Sequence, residues 1–123
     1  MLPAQILVAD DDDLNREVME AFLMSENYRV QFAHDGQQTL SLCDSLKPDL
    51  ILLDVNMPDM TGYEVCRILR QRPATANTPI IMVTGYDTSQ DRATGLAAGA
   101  NAFLPRPFSP SHLLQLVADL LKK

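Results

Sequence analysis

Short apolar runs alternate with longer segments of helical periodicity along the chain, and the alternation repeats five times. Each run has the length and the β-branched or aromatic content of a strand. The third and fourth runs are continuously apolar, as is typical of strands that are covered on both faces. The predicted strands span residues 6–9, 28–33, 50–53, 80–83 and 102–104.

The segments between the runs carry the spacing of helix faces. In the first such segment four residues fall at i, i+3, i+4 and i+7, namely Val18, Ala21, Phe22 and Ser25. We predict that this face packs on the sheet and that Asp13 is the N-cap of the helix. A similar leucine-rich stripe over residues 113–121 predicts a last helix, with Ser109 as its cap. Five βα units with short connections predict one α/β domain over residues 1–123, built on a doubly wound, five-stranded parallel sheet.

Composition and charge exclude several classes of function. The hydrophobic content of 46% is too high for a disordered chain, and no apolar run is long enough to span a bilayer. The N-terminus lacks a secretory signal pattern. A net charge of −6 makes nucleic acid and anionic membranes poor partners. Cys43 and Cys66 fall in helical patterns without metal-site spacing, so we predict a reduced, cytoplasmic protein.

Polar side chains follow four of the five predicted strands. The first strand is followed by four consecutive aspartates at 10–13, the third by Asp54, the fourth by Thr84, and the fifth by Pro105 and Arg106. Ligands of open parallel sheets bind outside the carboxyl ends of the strands. We therefore expect these groups to converge on one rim of the sheet.

The expected cluster has the chemistry of a phosphoryl-transfer site. Helix capping accounts for Asp13 and in part for Asp12, but not for Asp54, which directly follows an apolar strand. Clustered carboxylates repel one another unless a cation compensates them, and Mg²⁺ favours such oxygen ligands. The Thr84 hydroxyl and the Arg106 guanidinium add a donor and a fixed cation that can stabilise a phosphoryl group. An aspartate can itself be the nucleophile.

The motifs at these positions resemble the receiver domain of two-component response regulators. Residues 54–62, DVNMPDMTG, fit the family pattern D-x-x-M-P-x-x-x-G. The opening ILVADD at 6–11, Thr84 after the fourth strand and the ending GANAFLPRPF at 99–108 match in the same order. The resemblance covers essentially the whole chain and implies a flavodoxin-like (βα)5 fold.

The resemblance also implies roles for individual residues. Asp54 is the expected phosphoacceptor, which takes a phosphoryl group from a phosphohistidine on a sensor histidine kinase or a histidine phosphotransfer protein. Asp11 and Asp54 are expected to bind Mg²⁺ directly, Asp10 through water, and Asn56 through its backbone carbonyl. The domain is expected to catalyse its own phosphorylation and dephosphorylation rather than to turn over a small-molecule substrate.

Five positions acquire further expected roles from the resemblance. Thr84 moves to the phosphoryl group, Phe103 turns into the space that it leaves, and the surface of the last two helices and the fifth strand signals to a downstream effector protein or output domain. Asn56 and Tyr86 are expected to tune the lifetime of the phosphorylated state. Arg106 stands where the family usually has lysine, and we expect it to pair with the phosphoryl group in an altered geometry.

Three alternatives to this interpretation fit the residues less well or leave the question open. A haloacid-dehalogenase-type phosphatase needs a second aspartate, as general acid and base, at the position of Asn56. The amide of asparagine cannot donate or accept that proton. A flavodoxin-like FMN binder is disfavoured because the aspartates at 10–13 would repel the phosphate. A degenerate receiver that acts as a phosphorylation-independent interaction module stays open. The cognate kinase also stays open, as does whether the chain is free-standing or part of a longer protein.

Overall fold

Five strands alternate with five helices in the computed structural model, which describes residues 3–85 and 89–122. The strands are β1 (Gln5–Ala9), β2 (Arg29–Ala33), β3 (Leu50–Asp54), β4 (Ile80–Thr84) and β5 (Ala102–Pro105). The helices are α1 (Asp13–Met24), α2 (Gly36–Leu46), α3 (Gly62–Gln71), α4 (Ser89–Ala98) and α5 (Pro110–Leu121). The predicted succession of βα units is confirmed.

All five strands form one parallel sheet in the order β2-β1-β3-β4-β5. This order is that of the doubly wound flavodoxin-like fold, with its topological switch between β1 and β3. In the register of the sheet Ala9 lies beside Leu53, Asp54 beside Val83, and Thr84 beside Pro105. The carboxyl ends of β1, β3, β4 and β5 therefore lie at one rim of the sheet.

Alternating side chains of the strands bury two separate cores, one on each face of the sheet. Leu7, Ile51 and Met82 point to the face that α2 and α3 cover, where Leu40, Cys43 and Leu69 are fully or almost fully buried. The opposite face is covered by α1 and α5. The core on this side is formed by buried strand and helix residues, among them Ile6, Leu52, Val83, Met19, Leu23, Leu113 and Val117. Because both faces are covered, β3 and β4 are buried along their whole length.

The predicted inner face of α1 is wrong. Val18 is 40% exposed and Ala21 is exposed, whereas Met19 and Leu23 are buried against the sheet. The segment carries apolar residues in two overlapping helical stripes, and the helix is rotated so that the bulkier pair fills the core. Phe22 is shared by both stripes and packs partly against the same core.

The predicted start of α1 is wrong by one residue. Asp12, not Asp13, is the N-cap, because its Oδ1 accepts hydrogen bonds from the amides of Leu14 at 2.9 Å and Asn15 at 3.2 Å. Asp13 lies in the first turn and pairs with Arg16. At the other end of the chain Ser109 caps α5 as predicted.

Two further observations bear on the predicted cellular setting. Cys43 and Cys66 are free and buried in α2 and α3, and burial raises the pKa of both thiols. Among the helices in the described part of the chain, none has both the length and the apolar character needed to cross a membrane. The cytoplasmic location stays a prediction.

Candidate active site

Three carboxylates meet at the carboxyl-terminal rim of the sheet. Asp10, Asp11 and Asp54 each place one oxygen so that the three oxygens lie within 4.8 Å of one another. Asp10 and Asp54 are only 2% and 5% exposed, whereas Asp11 is exposed to solvent. We call these three residues the acidic cluster. Two of its charges are thus withdrawn from water at the end of a buried sheet.

Backbone contacts at the strand ends hold the acidic cluster in place. The Asp10 amide donates to the carbonyl of Ala33 at 3.0 Å, so β1 continues its pairing with β2 up to the first carboxylate. Asp54 is the last residue of β3. Gly62, at the start of α3, packs directly behind it, since a Cβ at that position would lie 2.4 Å from the Asp54 carbonyl oxygen. Only glycine allows α3 to begin so close to the strand.

Arg106 joins the acidic cluster from the segment after β5. Its Nη2 lies 2.5 Å from Asp10 Oδ2 and its Nη1 lies 3.5 Å from Asp54 Oδ1. Its backbone amide donates to the carbonyl of Thr84 at 2.8 Å, and its peptide bond to Pro107 is cis. The planar guanidinium therefore spans two carboxylates, which a single lysine ammonium would not do with the same fork geometry.

Burial is the main cause of an unusual ionisation at Asp54. Burial, together with the neighbouring charge of Asp10, raises the pKa of this carboxyl from 3.8 to about 6. Arg106 and the Asn56 amide, which donates to Asp54 Oδ1 at 3.3 Å, act in the opposite direction. The charged form of Asp54 is thus disfavoured unless additional positive charge is supplied.

Thr84 and Gly85 border the acidic cluster at the end of β4. Thr84 is the last residue of the strand and is almost fully buried. Among the described residues, none has an atom within 4 Å of a Cβ built on Gly85, its chain neighbour apart, so they leave open space beside the end of the strand.

Phe103 lies away from the acidic cluster and packs on α4. It sits opposite Met82 in the sheet, and a Cβ on Gly95 would come within 2.4 Å of its ring. The guanidinium carbon of Arg92 lies 5.3 Å from the ring centroid, at cation–π distance. The ring therefore links β5 to α4, and its predicted movement stays a prediction.

The two residues expected to tune the phosphorylated state differ in what can be described. Asn56 is exposed two residues after Asp54, in the loop 55–61, and faces Thr61 in an antiparallel bridge. We call residues 55–61 the β3–α3 loop. Tyr86 lies outside the described residues. The roles of both residues stay predictions.

Two residues with contacts near the site were missed from the sequence. Arg16 Nη1 donates to the Asp10 carbonyl at 2.5 Å. Asp59 accepts hydrogen bonds from the amides of Gly36 and Gln37 at 2.8 and 2.9 Å, and these two bonds lower the pKa of its carboxyl. Arg16 could have been found from its helical spacing after the aspartates, but Asp59 contacts an element that precedes it by more than twenty residues.

The donor chemistry of the acidic cluster fits a magnesium ion. All of its ligand atoms are carboxylate oxygens, which are the ligands that Mg²⁺ favours, and no thiol or imidazole belongs to the group. Arg106 supplies one positive charge to three clustered carboxylates, so the remaining negative charge also calls for a cation. The same arrangement offers a buried nucleophilic carboxylate with positive charge beside it, as transfer of a phosphoryl group requires.

Comparison with known proteins gives consistent results over the whole fold. A family model described as the response regulator receiver domain matches residues 6–118. The chain is 41% identical over 122 residues to the response regulator MprA of Mycolicibacterium vanbaalenii, which covers 99% of this chain and 52% of MprA. The chain thus spans about half the length of that curated relative.

Two solved structures show the same fold. The chemotaxis protein CheY4 of Vibrio cholerae superimposes with a TM-score of 0.93 at 34% identity, over 97% of this chain and 99% of that one. The receiver domain of the sensor histidine kinase PA1611 of Pseudomonas aeruginosa gives a TM-score of 0.92 at 31% identity, over 98% and 99%. The PA1611 structure contains a magnesium ion coordinated in its active site cleft.

Proposed function

The chain belongs to the response regulator receiver domain family, and we propose that it serves as the phosphoacceptor of a two-component or phosphorelay system. Asp54 takes the phosphoryl group from a phosphohistidine on a sensor histidine kinase or a histidine phosphotransfer protein. The domain acts in the cytoplasm and passes the signal to a downstream effector protein or output domain. The observation that carries this proposal is the acidic cluster, in which Asp54 is nearly buried and has Arg106 beside it.

The chemistry assigned to Asp54 is nucleophilic transfer. A carboxylate oxygen of Asp54 forms a bond to phosphorus while the bond from phosphorus to the imidazole nitrogen breaks, and the imidazole keeps the electron pair. Water later attacks the same phosphorus, inorganic phosphate leaves, and the carboxylate is regenerated. The domain thereby catalyses its own phosphorylation and dephosphorylation.

Asp10, Asp11 and Asp54 are the residues that hold Mg²⁺ in this proposal, together with the backbone carbonyl of Asn56. The magnesium ion in the PA1611 receiver domain and the oxygen-only acidic cluster support this assignment. When bound, Mg²⁺ supplies the positive charge that offsets the negative oxygens of the phosphoryl group. The retention of all three carboxylates favours a phosphoacceptor over a degenerate receiver that serves for interaction alone.

Thr84 and Arg106 complete the assignment around the phosphoryl group. Thr84 donates its hydroxyl to a phosphoryl oxygen, for which its buried place at the end of β4 is suited. Arg106 exchanges its present carboxylate partners for the phosphoryl oxygens, and its fork gives a geometry that lysine would not reproduce. Asn56 and Tyr86 tune access of the hydrolytic water.

The surface of α4, β5 and α5 is the proposed output surface. It contains a groove of about 430 Å³ lined by Leu96, Phe103 and His112 among others, and Leu96 is 61% exposed. Phe103 belongs to β5, lines this groove and packs with its ring against Gly95 of α4. Movement of Phe103 toward the space beside Thr84 would therefore alter the surface that a partner meets.

The phosphodonor reaches Asp54 over α1 in this proposal. A second groove of about 420 Å³ lies between α1 and the segment after β5, and Arg106 lines it together with Val18, Phe22 and Phe108. Leu14, which lies one helical turn before Val18 on α1, is largely exposed. An apolar surface that borders the acidic cluster is suited to a partner that must bring a phosphohistidine close to Asp54.

Binding of a phosphoryl analogue tests the proposal. In the presence of Mg²⁺, beryllofluoride should bind saturably to the wild type and shift amide NMR signals of β4, α4 and β5. Asp54→Asn should abolish the shifts, because the attacking carboxylate oxygen is replaced by an amide. Asp13→Asn, a substitution at an exposed neighbour, should leave them unchanged. Absence of binding to the wild type, or equal binding to Asp54→Asn, would contradict the proposal.

A further inference from the structure

The carboxylate of Asp59 attaches the β3–α3 loop to the N-terminus of α2. Its Oδ1 accepts from the Gly36 amide at 2.8 Å and its Oδ2 accepts from the Gln37 amide at 2.9 Å. The next amide, that of Gln38, is bound at 2.7 Å by Asp35, the N-cap of α2 itself. The two oxygens of Asp59 therefore accept from the first two amides of α2, which the N-cap residue Asp35 does not bind.

Side-chain packing reinforces this attachment. Met60 lies over Gly36 so closely that a Cβ on the glycine would come within 2.8 Å of the methionine Cγ and Sδ. The helix that receives both contacts is anchored to the sheet, since Thr39, Leu40 and Cys43 are buried. The tip of the loop is thus fixed relative to the sheet and not only to the strand and helix that it joins.

The base of the same loop is held by short backbone contacts. Asn56 faces Thr61 in an antiparallel bridge, and the Gly62 amide donates to the Val55 carbonyl at 2.8 Å. These contacts close the loop on itself but do not fix its tilt over the rim of the sheet. Asp59 supplies that constraint from three residues beyond Asn56.

We propose that Asp59 is a positioning residue for the active site, which fixes the β3–α3 loop on α2 so that the Asn56 carbonyl faces the acidic cluster. This inference rests on the proposed function, in which that carbonyl is a ligand of Mg²⁺. Asp59 is exposed and lies outside the acidic cluster, so it acts on the ion through the loop and not by contact. Partners that orient metal ligands commonly change metal affinity when they are removed.

The test measures Mg²⁺ affinity by calorimetry and phosphorylation by acetyl phosphate in wild type, Asp59→Ala and Asp59→Asn. Asp59→Ala should weaken Mg²⁺ binding about tenfold. Asp59→Asn keeps one acceptor oxygen and should restore part of the affinity. The phosphorylation rate of Asp59→Ala should fall at low Mg²⁺ and recover at saturating Mg²⁺, because the defect lies in ligand placement.

Asp49→Ala is the matched control. Asp49 is also an exposed aspartate that accepts a hydrogen bond from a distant backbone amide, that of Gln5 at 2.7 Å, but it lies at the amino-terminal ends of the strands, opposite the acidic cluster. It should leave Mg²⁺ affinity unchanged, and urea unfolding of each variant measures any general loss of stability.

Three outcomes would overturn the inference. They are an unchanged Mg²⁺ affinity in Asp59→Ala, an equal loss in Asp49→Ala, or a phosphorylation defect that saturating Mg²⁺ does not relieve. In all three the wild type still binds Mg²⁺ in a manner that depends on Asp54, so the proposed function stands. A wild type that binds no Mg²⁺ at the acidic cluster would overturn the proposed function and this inference together.

Discussion

Replacing Asp54 by asparagine should make the metal-free protein more stable above pH 6, although it removes the proposed phosphoacceptor. The carboxyl is nearly buried, and burial together with the Asp10 charge raises its pKa to about 6. The folded protein therefore binds the Asp54 proton more tightly than the unfolded chain does. Ionisation of this group opposes folding, and an asparagine of almost the same shape avoids it.

The size of the effect follows from the two pKa values. A pKa of about 6 in the folded state against 3.8 in the unfolded chain corresponds to about 3 kcal/mol of unfolding free energy. Because the folded state holds the extra proton between these values, wild-type stability falls relative to Asp54→Asn as pH rises through this window. The stability difference should be small near pH 4 and reach its full value above about pH 6.

Urea unfolding followed by circular dichroism gives the measurement, since the chain has no tryptophan. Wild type and Asp54→Asn are compared without metal from about pH 4.5 to pH 8. Asp119→Asn, at an exposed site on α5, is the control and should change stability by less than about 0.5 kcal/mol at every pH. Saturating Mg²⁺ should stabilise the wild type more than Asp54→Asn and so reduce the difference.

A stability difference that does not change with pH would refute the reasoning, because it would show that the ionisation of Asp54 is not linked to folding. A wild type that is more stable than Asp54→Asn at pH 8 without metal would refute it as well.

The remaining predictions concern the surroundings of the acidic cluster and the amino-terminal ends of the strands. Arg106→Met should raise Mg²⁺ affinity about fivefold in calorimetric titrations. The ion no longer has to displace the guanidinium from Asp10 and Asp54, an ion pair worth about 1 kcal/mol. An unchanged affinity would show that the guanidinium does not compete with Mg²⁺ for these carboxylates. Gly62→Ala should lower stability by about 2 kcal/mol in urea and slow phosphorylation of Asp54, because its Cβ has no space, whereas Gly85→Ala should leave stability nearly unchanged. Arg70→Met removes a side chain that donates to several backbone carbonyls and should cost about 3 kcal/mol without slowing phosphorylation; an equal loss of phosphorylation would contradict its purely structural role.

The fold and the location of the acidic cluster could be predicted because both follow from the order of apolar and polar residues within short segments. The continuously apolar runs at 50–53 and 80–83 indicate buried parallel strands, and each is followed at once by a polar residue, Asp54 and Thr84. In a parallel sheet the residues that follow successive strands lie at the same rim. The convergence of Asp10, Asp11 and Asp54 is therefore a consequence of topology and not of a particular loop conformation.

The details of α1 could not be predicted because the sequence allows more than one solution. Four consecutive aspartates are almost equally good N-caps, so local preference does not choose Asp12 over Asp13. Apolar residues in two overlapping stripes leave the rotation of the helix to be decided by packing against the sheet. Met19 and Leu23 fill the space against the sheet. Val18 is left on the surface, in the groove between α1 and the segment after β5.

Contacts between distant segments could not be predicted from the sequence, for a different reason. The pattern places Arg106 at the rim, but not its bridge between Asp10 and Asp54, which depends on the path of the chain after β5. The bonds from Asp59 to the start of α2 likewise join segments that no local periodicity connects. These contacts set the electrostatics of the site and the position of its loop.

The central claim is that Asp54 accepts the phosphoryl group, and intact-protein mass spectrometry after incubation with acetyl phosphate and Mg²⁺ tests it most directly. Wild type and Asp13→Asn should each gain the mass of one phosphoryl group, and omission of Mg²⁺ should greatly reduce the gain. Asp54→Asn should gain none. A wild type that stays unmodified, or an Asp54→Asn variant that is modified to the same extent, would contradict the account.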